Sequence, residues 1–443
     1  MLHFGTDGVR GVAIDELTPE LARDLARATS RVLQPVAVVI GRDTRESGPA
    51  LEKAIIDGCA AEGVPVYLLG VAPTPAVAFA SERNGWVGIA ITASHNSWSD
   101  NGIKVFASGG VKLDDAEQIE IERVWHALTA ETAPVALGTV HDASHIVAEY
   151  ATHRFNVIGG SLAGLSVVLD CAHGAMSSVA AEVFHVAGAS VEVINASPNG
   201  RNINEQCGAT SPQALAQHVI ATRADLGIAF DGDGDRLMAV TATGRVIDGD
   251  YLMAIAALDL SSRGLLRNKG VAVTVMSNLG FHHAMRNHDV DVVVTPVGDR
   301  NVLVALDEYD FVLGGEQSGH IVHRAHATTG DGLLAALVLC EYLVRSKESL
   351  DEAATIMETY PQVLINVRTE NRVHDPVADI ASQVVAAENE LGDEGRILVR
   401  ASGTEPLVRV MVEAANESLA QSTAEALALA LIAVHGGNIE GKH

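Results

Sequence analysis

The sequence is poor in positive charge. Its 443 residues include 30 lysines and arginines against 56 aspartates and glutamates, which gives a formal net charge of −26. An acidic surface repels the backbone of nucleic acids and the face of an anionic membrane, so we expect neither as a partner. A small anionic substrate remains compatible with the composition, because a few arginines can reverse the local field at one site.

Cysteine is scarce, and long apolar segments are missing. The 4 cysteines are far apart and form no C-x-x-C pair, which favours reduced cysteines in the core of a cytosolic protein. The N-terminal residues lack the charged start and apolar centre of a signal peptide. No apolar run approaches the ~18 residues of a membrane helix. We therefore expect a soluble, cytoplasmic protein, and its length favours about three domains.

Short apolar strands alternate with helices through most of the chain, around a turn-rich stretch at residues 73–75. This alternation predicts α/β domains with parallel or mixed, mostly parallel sheets. Gly-Ile-Ala at residues 88–90 and again at 227–229 precedes a polar loop, and residues 311–313 are a weaker third copy. We interpret them as three related α/β domains, each contributing one strand-end loop to a central cleft.

The last part of the chain differs from the rest. Strands near 363–367, 396–400 and 407–413 with a helix over 418–434 predict a smaller C-terminal α+β domain. The predicted domains therefore span residues 1–150, 151–250, 251–361 and 362–443.

Residues 92–96 (Thr-Ala-Ser-His-Asn) follow the buried strand 87–91. Ligands bind at this edge of α/β sheets, although a serine after a strand is more often a helix N-cap. The hydrolase pattern G-x-S-x-G is absent. Neighbouring side chains of an extended chain point to opposite sides, so we do not expect His95 to be the base for Ser94. Lys104 is a candidate proton carrier or phosphate counter-charge, with a solvated edge lysine as the alternative.

Asp231, Asp233 and Asp235 alternate with glycines and precede Arg236. Three carboxylates so close together need a counter-charge, and hard oxygen ligands suit Mg²⁺, with Ca²⁺ or Mn²⁺ as alternatives. An EF-hand is excluded, because its sixth position would be Arg236 instead of glycine and its twelfth Ala242 instead of a carboxylate. The remaining alternative is a solvated acidic turn between two strands.

Residues 314–320 (Gly-Gly-Glu-Gln-Ser-Gly-His) form another polar loop at a strand end. Glu316 and Ser318 can share one side of it, which suits neighbouring sugar hydroxyls, whereas a plain turn is the alternative. Residues 295–300 form a further strand-end loop to which the sequence assigns no role.

Residues 400–406 (Arg-Ala-Ser-Gly-Thr-Glu-Pro) and Arg409 concentrate guanidinium groups, hydroxyls and a glycine. These groups bind phosphate, although the Walker pattern is absent. The alternative is that the arginines are surface residues paired with Glu405 and Glu413.

Together these loops resemble the α-D-phosphohexomutase family. The matching motifs span the whole chain in the family's order and are residues 4–11, 92–96, 231–236, 314–320 and 400–406. The resemblance implies four domains around a deep cleft and a mutase that works through a phosphoserine and a sugar bisphosphate. Gln317 is closer to the group that interconverts glucosamine 6-phosphate and glucosamine 1-phosphate for cell-wall precursors. Activity on mannose or glucose phosphate is the alternative.

The resemblance also implies roles for individual residues. Ser94 is expected to be the phosphoserine, with His95, Lys104 and Arg10 beside the reacting centre. The expected Mg²⁺ ligands are phospho-Ser94, Asp231, Asp233 and Asp235. The expected sugar-binding residues are Arg236, Glu316, Ser318 and His320. The expected phosphate-binding residues are Arg400, Ser402, Gly403, Thr404 and Arg409.

The same resemblance implies Mg²⁺ and a glucosamine or glucose 1,6-bisphosphate as cofactors, and a small phosphosugar as partner; a homodimer stays open. One departure is Ser97-Trp98, where the family commonly has proline after Ser-His-Asn. Proline would stiffen that loop. A phosphosugar-binding homologue with weak catalysis and a metal-dependent phosphatase are therefore further alternatives.

Overall fold

The computed structural model describes residues 2–5, 8–128, 138–402 and 405–440. The chain forms two compact units. Unit 1 comprises Met1–Met276 and His288–Ile356, and unit 2 comprises Ser277–Asn287 and Met357–His443. The boundaries expected near residues 150, 250 and 361 remain predictions.

The first sheet of unit 1 has seven strands. They are β1 (Val9–Val12), β2 (Val38–Arg42), β3 (Val66–Val71), β4 (Val87–Ile91), β5 (Asp100–Ala107), β6 (Val111–Lys112) and β7 (Val140–Asp142). The accompanying helices are α1 (Pro19–Leu33), α2 (Gly48–Ala61), α3 (Thr74–Asn84), α4 (Asp115–Leu128) and α5 (His145–Val157). The strand order is β1-β5-β4-β2-β3-β7, and β6 pairs with β5.

The second sheet has five strands in the order β12-β11-β10-β8-β9. They are β8 (Ser166–Asp170), β9 (Ser190–Ile194), β10 (Leu226–Phe230), β11 (Leu237–Thr241) and β12 (Val246–Ile247). The helices of this part are α6 (Ala180–Val186), α7 (Gln213–Thr222) and α8 (Gly249–Ser262).

The third sheet has four strands in the order β14-β13-β15-β16. They are β13 (Gly270–Thr274), β14 (Asp291–Thr295), β15 (Leu313–Gly315) and β16 (Ile321–His323). The helices of this stretch are α9 (Leu279–Asn287), α10 (Asp299–Glu308), α11 (Gly332–Ser346) and α12 (Leu350–Ala353). Of these, α9 belongs to unit 2.

Strands β4, β10 and β15 occupy the same place in their three sheets. Each pairs in parallel with one neighbour, which is β2, β8 or β13. Each also pairs antiparallel with the next strand of the chain, which is β5, β11 or β16. The predicted related α/β domains with mixed sheets are confirmed, and the three polar loops follow at equivalent strand ends. The antiparallel pairs arise because the chain returns directly, without a crossover helix.

The stretch at residues 73–75 is a helix start, so the expectation of a turn there is wrong. Helix α3 begins at Thr74, and Pro75 lies in its first turn. Proline is accepted there because the first backbone N–H groups of a helix have no partner within the helix.

Unit 2 contains a four-stranded antiparallel sheet in the order β18-β19-β17-β20. The strands are β17 (Gln362–Arg368), β18 (Arg396–Ala401), β19 (Leu407–Glu413) and β20 (Asn438–Glu440). Its further helices are α13 (Pro376–Asp379), α14 (Ala381–Leu391) and α15 (Glu417–His435). This is the predicted small α+β domain.

Helix α15 is long and apolar enough to cross a membrane by length and composition, although the sequence analysis expected no such stretch. Ala420, Ala424, Leu427 and Leu431 of this helix are buried in the core of unit 2. The packing against the sheet accounts for the apolar side of the helix.

Glu413 at the end of β19 is fully buried and connects the two chain segments of unit 2. Its carboxylate accepts hydrogen bonds from the Leu279 backbone N–H at 2.9 Å, Gln362 Nε2 at 3.1 Å and Arg396 Nη2 at 3.0 Å. Asn278 Nδ2 donates to it at 3.3 Å. One carboxylate therefore holds the start of α9 against the sheet.

We expect Glu413→Ala to lower the free energy of unfolding by about 2–4 kcal/mol, because it leaves buried donors and the Arg396 charge without their acceptor. Urea titration of the full chain measures this change. The matched control Glu388→Ala removes an exposed glutamate of α14 and should change the value by less than about 0.5 kcal/mol. Equal losses in both variants would contradict the assignment.

Candidate active site

The loops after β4, β10 and β15 line one cavity of about 280 Å³ in unit 1. Its wall includes side chains from all three parts of the unit. These are Arg10, Ser94, Lys104, Asp235, Arg236, Asp299, Glu316 and His320. The predicted sharing of one cleft by the three α/β domains is therefore confirmed within unit 1.

Ser94 lies at the bottom of the loop after β4, where its side chain is almost fully buried. Its Oγ donates a hydrogen bond to Asp231 Oδ2 at 2.5 Å. No helix begins at this loop, which leads directly into β5. The helix-cap interpretation of Ser94 is therefore wrong, and its hydroxyl faces the acidic loop.

His95 lies closer to Ser94 than an extended chain would allow. Ser94 has φ +52°, a left-handed conformation, and this turn brings His95 Nδ1 to 3.3 Å from Ser94 Oγ. The expectation that the two side chains diverge is therefore wrong. Burial lowers the pKa of His95 to about 4, with the charges of Arg236 and Arg10 acting in the same direction. The imidazole is therefore neutral near pH 7.

The three aspartates of the second loop converge after β10. Their side chains are buried, and one ligand atom from each lies within 4.8 Å of the others. Burial, together with the carboxylates of Asp233 and Asp235, raises the pKa of Asp231 well above its usual range. The solvated-turn alternative is therefore wrong, and the predicted need for a counter-charge is confirmed.

Lys104 supplies part of that counter-charge. Its Nζ lies 2.8 Å from Asp233 Oδ2 and 2.8 Å from Asp235 Oδ2, and its side chain is buried. Burial alone would lower the pKa of Lys104, but the two carboxylates outweigh it and raise this pKa. The solvated-edge interpretation of Lys104 is therefore wrong.

The carboxylate oxygens of this cluster that do not contact Lys104 are suited to coordinate a hard divalent cation. Asp233 Oδ1 and Asp235 Oδ1 are buried without a hydrogen-bond partner among the described residues. Asp231 Oδ1 accepts only a 3.2 Å bond from the Arg236 backbone N–H within that part of the chain. Unpaired carboxylate oxygens in a buried cluster are the ligands that Mg²⁺ prefers.

The loop after β15 presents its carboxylate to the same cavity. Glu316 Oε1 accepts from the Gly298 backbone N–H at 3.1 Å, and Ser318 Oγ donates to Glu316 Oε2 at 3.1 Å. Glu316 and Ser318 thus lie on one side of the loop, as predicted. Gln317 instead donates to Asp248 Oδ2 at 3.1 Å, at the N-terminus of α8.

His320 and Asp299 extend this wall. His320 Nε2 accepts a hydrogen bond from the Gly330 backbone N–H at 3.1 Å, and its Nδ1 lies 3.7 Å from Asp235 Oδ1. Lys112 Nζ is 3.0 Å from Asp299 Oδ2. The loop at 295–300, left without a role by the sequence, therefore belongs to the cavity.

Arg10 and Arg236 are further cationic groups that line the cavity. Arg10 lies in β1 opposite Gly102 of β5, and its Nη1 donates to Asn96 Oδ1 at 3.3 Å. Burial would lower the pKa of Arg236, but Asp235 and Asp231 raise it.

The predicted phosphate loop lies in unit 2. Arg400 of β18 is directly opposite Arg409 of β19. Among the described residues, no carboxylate lies within 4.0 Å of either guanidinium; Glu413 pairs instead with Arg396, and Glu405 with Arg368. The alternative, in which these arginines pair with Glu405 and Glu413, is therefore wrong. Burial and the nearby Arg409 charge lower the pKa of Arg400.

Like charges placed opposite each other on neighbouring strands repel. Such a pair is suited to receive an anion. Ser402 directly follows β18, whereas Gly403 and Thr404 lie outside the described residues.

Some site residues were missed by sequence reasoning. Thr74 Oγ1 donates to Asp233 Oδ2 at 2.6 Å, and Arg45 and Asn204 donate to the backbone of the Ser94 loop. Arg45 belongs to a polar loop that follows a strand, and this position was the one available signal. Nothing in the local pattern marks Thr74 or Asn204.

The four cysteines of the chain are free and buried, which confirms the predicted role as core residues. Burial raises the pKa of Cys59 and Cys171 to about 12.

Comparison with known families finds four consecutive matches along the chain. Models described as phosphoglucomutase/phosphomannomutase alpha/beta/alpha domains I, II and III match residues 1–132, 146–244 and 248–360. The model of the C-terminal domain of the same family matches residues 364–430.

Two curated relatives are a phosphoglucosamine mutase of Frankia casuarinae and one of Rhodococcus jostii. The first is 49% identical over 442 residues, covering 96% of this chain and 97% of the relative. The second is 47% identical over 440 residues, covering 96% and 98%.

Solved structures give the same grouping. A phosphoglucomutase/phosphomannomutase family protein from Burkholderia thailandensis has a TM-score of 0.82 at 25% identity, covering 98% of both chains. The N-acetylphosphoglucosamine mutase of Aspergillus fumigatus, solved with GlcNAc-6P and magnesium, shares the fold with a TM-score of 0.69 at 18% identity, covering 98% of this chain and 96% of its own. This chain belongs to the phosphoglucomutase/phosphomannomutase family, that is, to the phosphohexomutases.

Proposed function

We propose that this phosphohexomutase is a phosphoglucosamine mutase, an isomerase that interconverts glucosamine 6-phosphate and glucosamine 1-phosphate. The observation that carries the proposal is the 2.5 Å hydrogen bond from Ser94 Oγ to Asp231 Oδ2 at the bottom of a cavity lined with polar groups. A serine hydroxyl against a buried carboxylate cluster is placed to carry a phosphoryl group beside a cation.

The sugar class is supported by the relatives and by charge. Relatives that cover nearly the whole chain at 47–49% identity are phosphoglucosamine mutases. In addition, Glu316 lines the cavity, and among the described residues its carboxylate accepts hydrogen bonds from the neutral Gly298 N–H and Ser318 Oγ. A carboxylate there favours an amino sugar, whose 2-ammonium is cationic, over a neutral hydroxyl at the same carbon.

The proposed reaction has two balanced transfers. The free hydroxyl of the sugar attacks the phosphorus on phospho-Ser94, the Oγ–P bond breaks, and the hydroxyl proton passes to a base, giving the 1,6-bisphosphate. Ser94 Oγ takes up a proton as it leaves. After the intermediate turns over in the cavity, Ser94 Oγ attacks the other phosphorus and gives its proton to the base, the bond between that phosphorus and the sugar oxygen breaks, and the sugar oxygen is protonated as the second monophosphate leaves. His95 is neutral and adjacent to Ser94, so it is available as the proton acceptor.

The other residues hold and balance charge. Asp231, Asp233 and Asp235 would hold Mg²⁺ with a phosphoserine oxygen, and the ion supplies Lewis-acid stabilisation of the transferred phosphoryl group. Lys104 keeps two of the carboxylates ionised and oriented. Arg10 and Arg236 add positive charge at the cavity wall, and closure of the site against water limits hydrolysis.

Sugar and phosphate recognition are assigned to separate surfaces. Glu316 and Ser318 form hydrogen bonds with sugar hydroxyls, and His320 lines the cavity beside them. Arg400, Ser402 and Arg409, with Gly403 and Thr404 by motif, form the clamp for the phosphate that is not being transferred. Unpaired guanidinium groups bind phosphate through forked, charged hydrogen bonds.

The proposal also includes an activator and a cellular location. Glucosamine or glucose 1,6-bisphosphate primes the enzyme by phosphorylating Ser94. A cytoplasmic location is supported by the buried, free cysteines.

A panel of sugar phosphates tests the substrate. With 1,6-bisphosphate and Mg²⁺ present, we expect kcat/KM for glucosamine 6-phosphate to exceed that for mannose or glucose 6-phosphate at least about tenfold, because only the amino sugar carries the ammonium group. Coupled assays of each 1-phosphate product measure the ratio. Equal or faster turnover of mannose phosphate would refute the glucosamine assignment.

Ser94→Ala tests the phosphoserine. We expect kcat to fall by a factor of at least about 10³, because the group that carries the phosphoryl has been removed. Intact-mass analysis should show one phosphate on the wild-type protein and none on the variant. The control Ser97→Ala removes an exposed hydroxyl of the same loop and should retain activity and phosphorylation. Release of free phosphate without sugar isomerisation would favour a phosphatase instead.

Metal removal tests the carboxylate cluster. We expect EDTA to abolish turnover and Mg²⁺ to restore it, and Asp233→Asn to weaken binding of Mn²⁺, followed by its EPR signal, on the order of 10–100-fold. The control Asp225→Asn changes an exposed carboxylate next to the opposite end of β10. Identical Mn²⁺ affinity in both variants would contradict the site.

A further inference from the structure

The arginine of the loop after β2 is completely buried beneath the Ser94 loop. Arg45 Nη2 donates to the carbonyl oxygens of Ser94 at 3.0 Å and Asn96 at 2.9 Å. Its Nη1 donates to the carbonyl oxygens of Ser97 and of Asp100, the latter at 3.0 Å. One guanidinium therefore holds four carbonyl groups of a single loop.

The remaining donor of Arg45 is fixed as well. Its Nε donates to Asp43 Oδ2 at 2.9 Å, so that all five N–H donors of the guanidinium are used. Asp43 Oδ2 also accepts from Thr92 Oγ1 at 2.7 Å, and Thr92 Oγ1 in turn accepts from the Ser94 backbone N–H at 2.9 Å. The network thus binds both the N–H and the carbonyl of Ser94.

The backbone conformation of Ser94 explains why the loop needs these hydrogen bonds. A non-glycine residue with positive φ is strained and persists only where its surroundings hold it in place. Ser94 at φ +52° is such a residue, and its left-handed turn aims Oγ at Asp231. The loop also lacks the proline that would stiffen it, since Ser97 and Trp98 follow Asn96.

A second group holds the same carbonyls from the β9–α7 connection. Asn204 Nδ2 donates to the carbonyl oxygens of Ser94 at 2.9 Å and Asn96 at 3.0 Å. A Cβ on Gly232 would lie 2.6 Å from the Ser94 oxygen, so the acidic loop packs directly against this carbonyl. The backbone of Ser94 is therefore the point where both loops meet.

We infer that Arg45, held by Asp43, is the positioning residue that sets Ser94 Oγ for phosphoryl transfer. Arg45 does not line the cavity and acts only through Ser94. A lysine has three donors without a fixed fork, so it cannot hold the four carbonyls and Asp43 together. The inference rests on the proposed mutase function.

Arg45→Lys tests it in the full-length enzyme, with the sugar phosphate that the wild type turns over fastest. We expect kcat to fall about 100-fold, the cost of a misplacement near 1 Å, while KM stays within about threefold because the substrate contacts remain. The control Arg42→Lys changes a half-buried arginine of the same β2–α2 region, paired with Glu52, and should keep both constants. Thermal unfolding establishes that each variant is folded.

A folded Arg45→Lys with wild-type kcat, or with KM and kcat impaired together, would overturn the inference. If Arg45→Lys does not fold, two variants of Thr92 test the inference instead. Thr92→Val breaks the link between Asp43 and the Ser94 N–H and should lower kcat, whereas Thr92→Ser keeps the hydroxyl and should restore it; equal rates in both would also overturn the inference. Failure of the wild type on glucosamine phosphate, with turnover of another sugar phosphate, refutes the substrate assignment alone.

Discussion

The contact on which the site depends is the ion pair between Lys104 and the carboxylates of Asp233 and Asp235. Burying three carboxylates with oxygen atoms within 4.8 Å of one another is unfavourable unless positive charge is buried with them. Lys104 comes from β5, the strand that immediately follows the Ser94 loop, and it reaches the acidic loop after β10. The same ion pair therefore offsets part of the charge and holds two strand-end loops together.

That constraint explains the glycines around the aspartates. Gly232 lies against the Ser94 carbonyl, so a side chain there would separate the two loops. Gly234 adopts φ +73°, and a side chain there would collide with Met176. Glycine is the residue that accepts both the close approach and the left-handed backbone. The alternation of aspartate and glycine is thus a packing requirement as much as a chemical one.

The sequence predicted those features that local spacing determines. The aspartate cluster, the repeated strand ends and the small last domain follow from patterns a few residues long, and the structure has all three. The partners of these groups could not be predicted in the same way. Thr74 contacts Asp233 across 159 positions of the chain, and Arg45 contacts the Ser94 loop across about 50, so no local pattern contains either contact.

Two errors of the sequence analysis share one physical cause. The expected divergence of Ser94 and His95 assumed an extended chain, and the alternative of Arg400 and Arg409 paired with Glu405 and Glu413 assumed that nearby opposite charges meet. In the structure the left-handed backbone at Ser94 breaks the alternating direction of side chains that an extended chain would have. The Glu413 carboxylate accepts hydrogen bonds from Arg396 and from backbone and amide donors of its own unit. Local rules fail where buried hydrogen bonds from distant segments supply more free energy than the local preference.

The two groups of charges assigned to phosphate differ in a way that follows from burial. The Ser94 site is deeply buried, so its carboxylates need positive charge that is buried with them, and Lys104 supplies part of it. Arg400 is only partly buried and Arg409 is exposed, so water can solvate their uncompensated charge until an anion displaces it. In the proposed function, transfer of the phosphoryl group requires charged groups in fixed positions. Binding and release of either phosphate of a bisphosphate instead requires cations near solvent that have no carboxylate partner. The different burial of the two sites agrees with these two proposed roles.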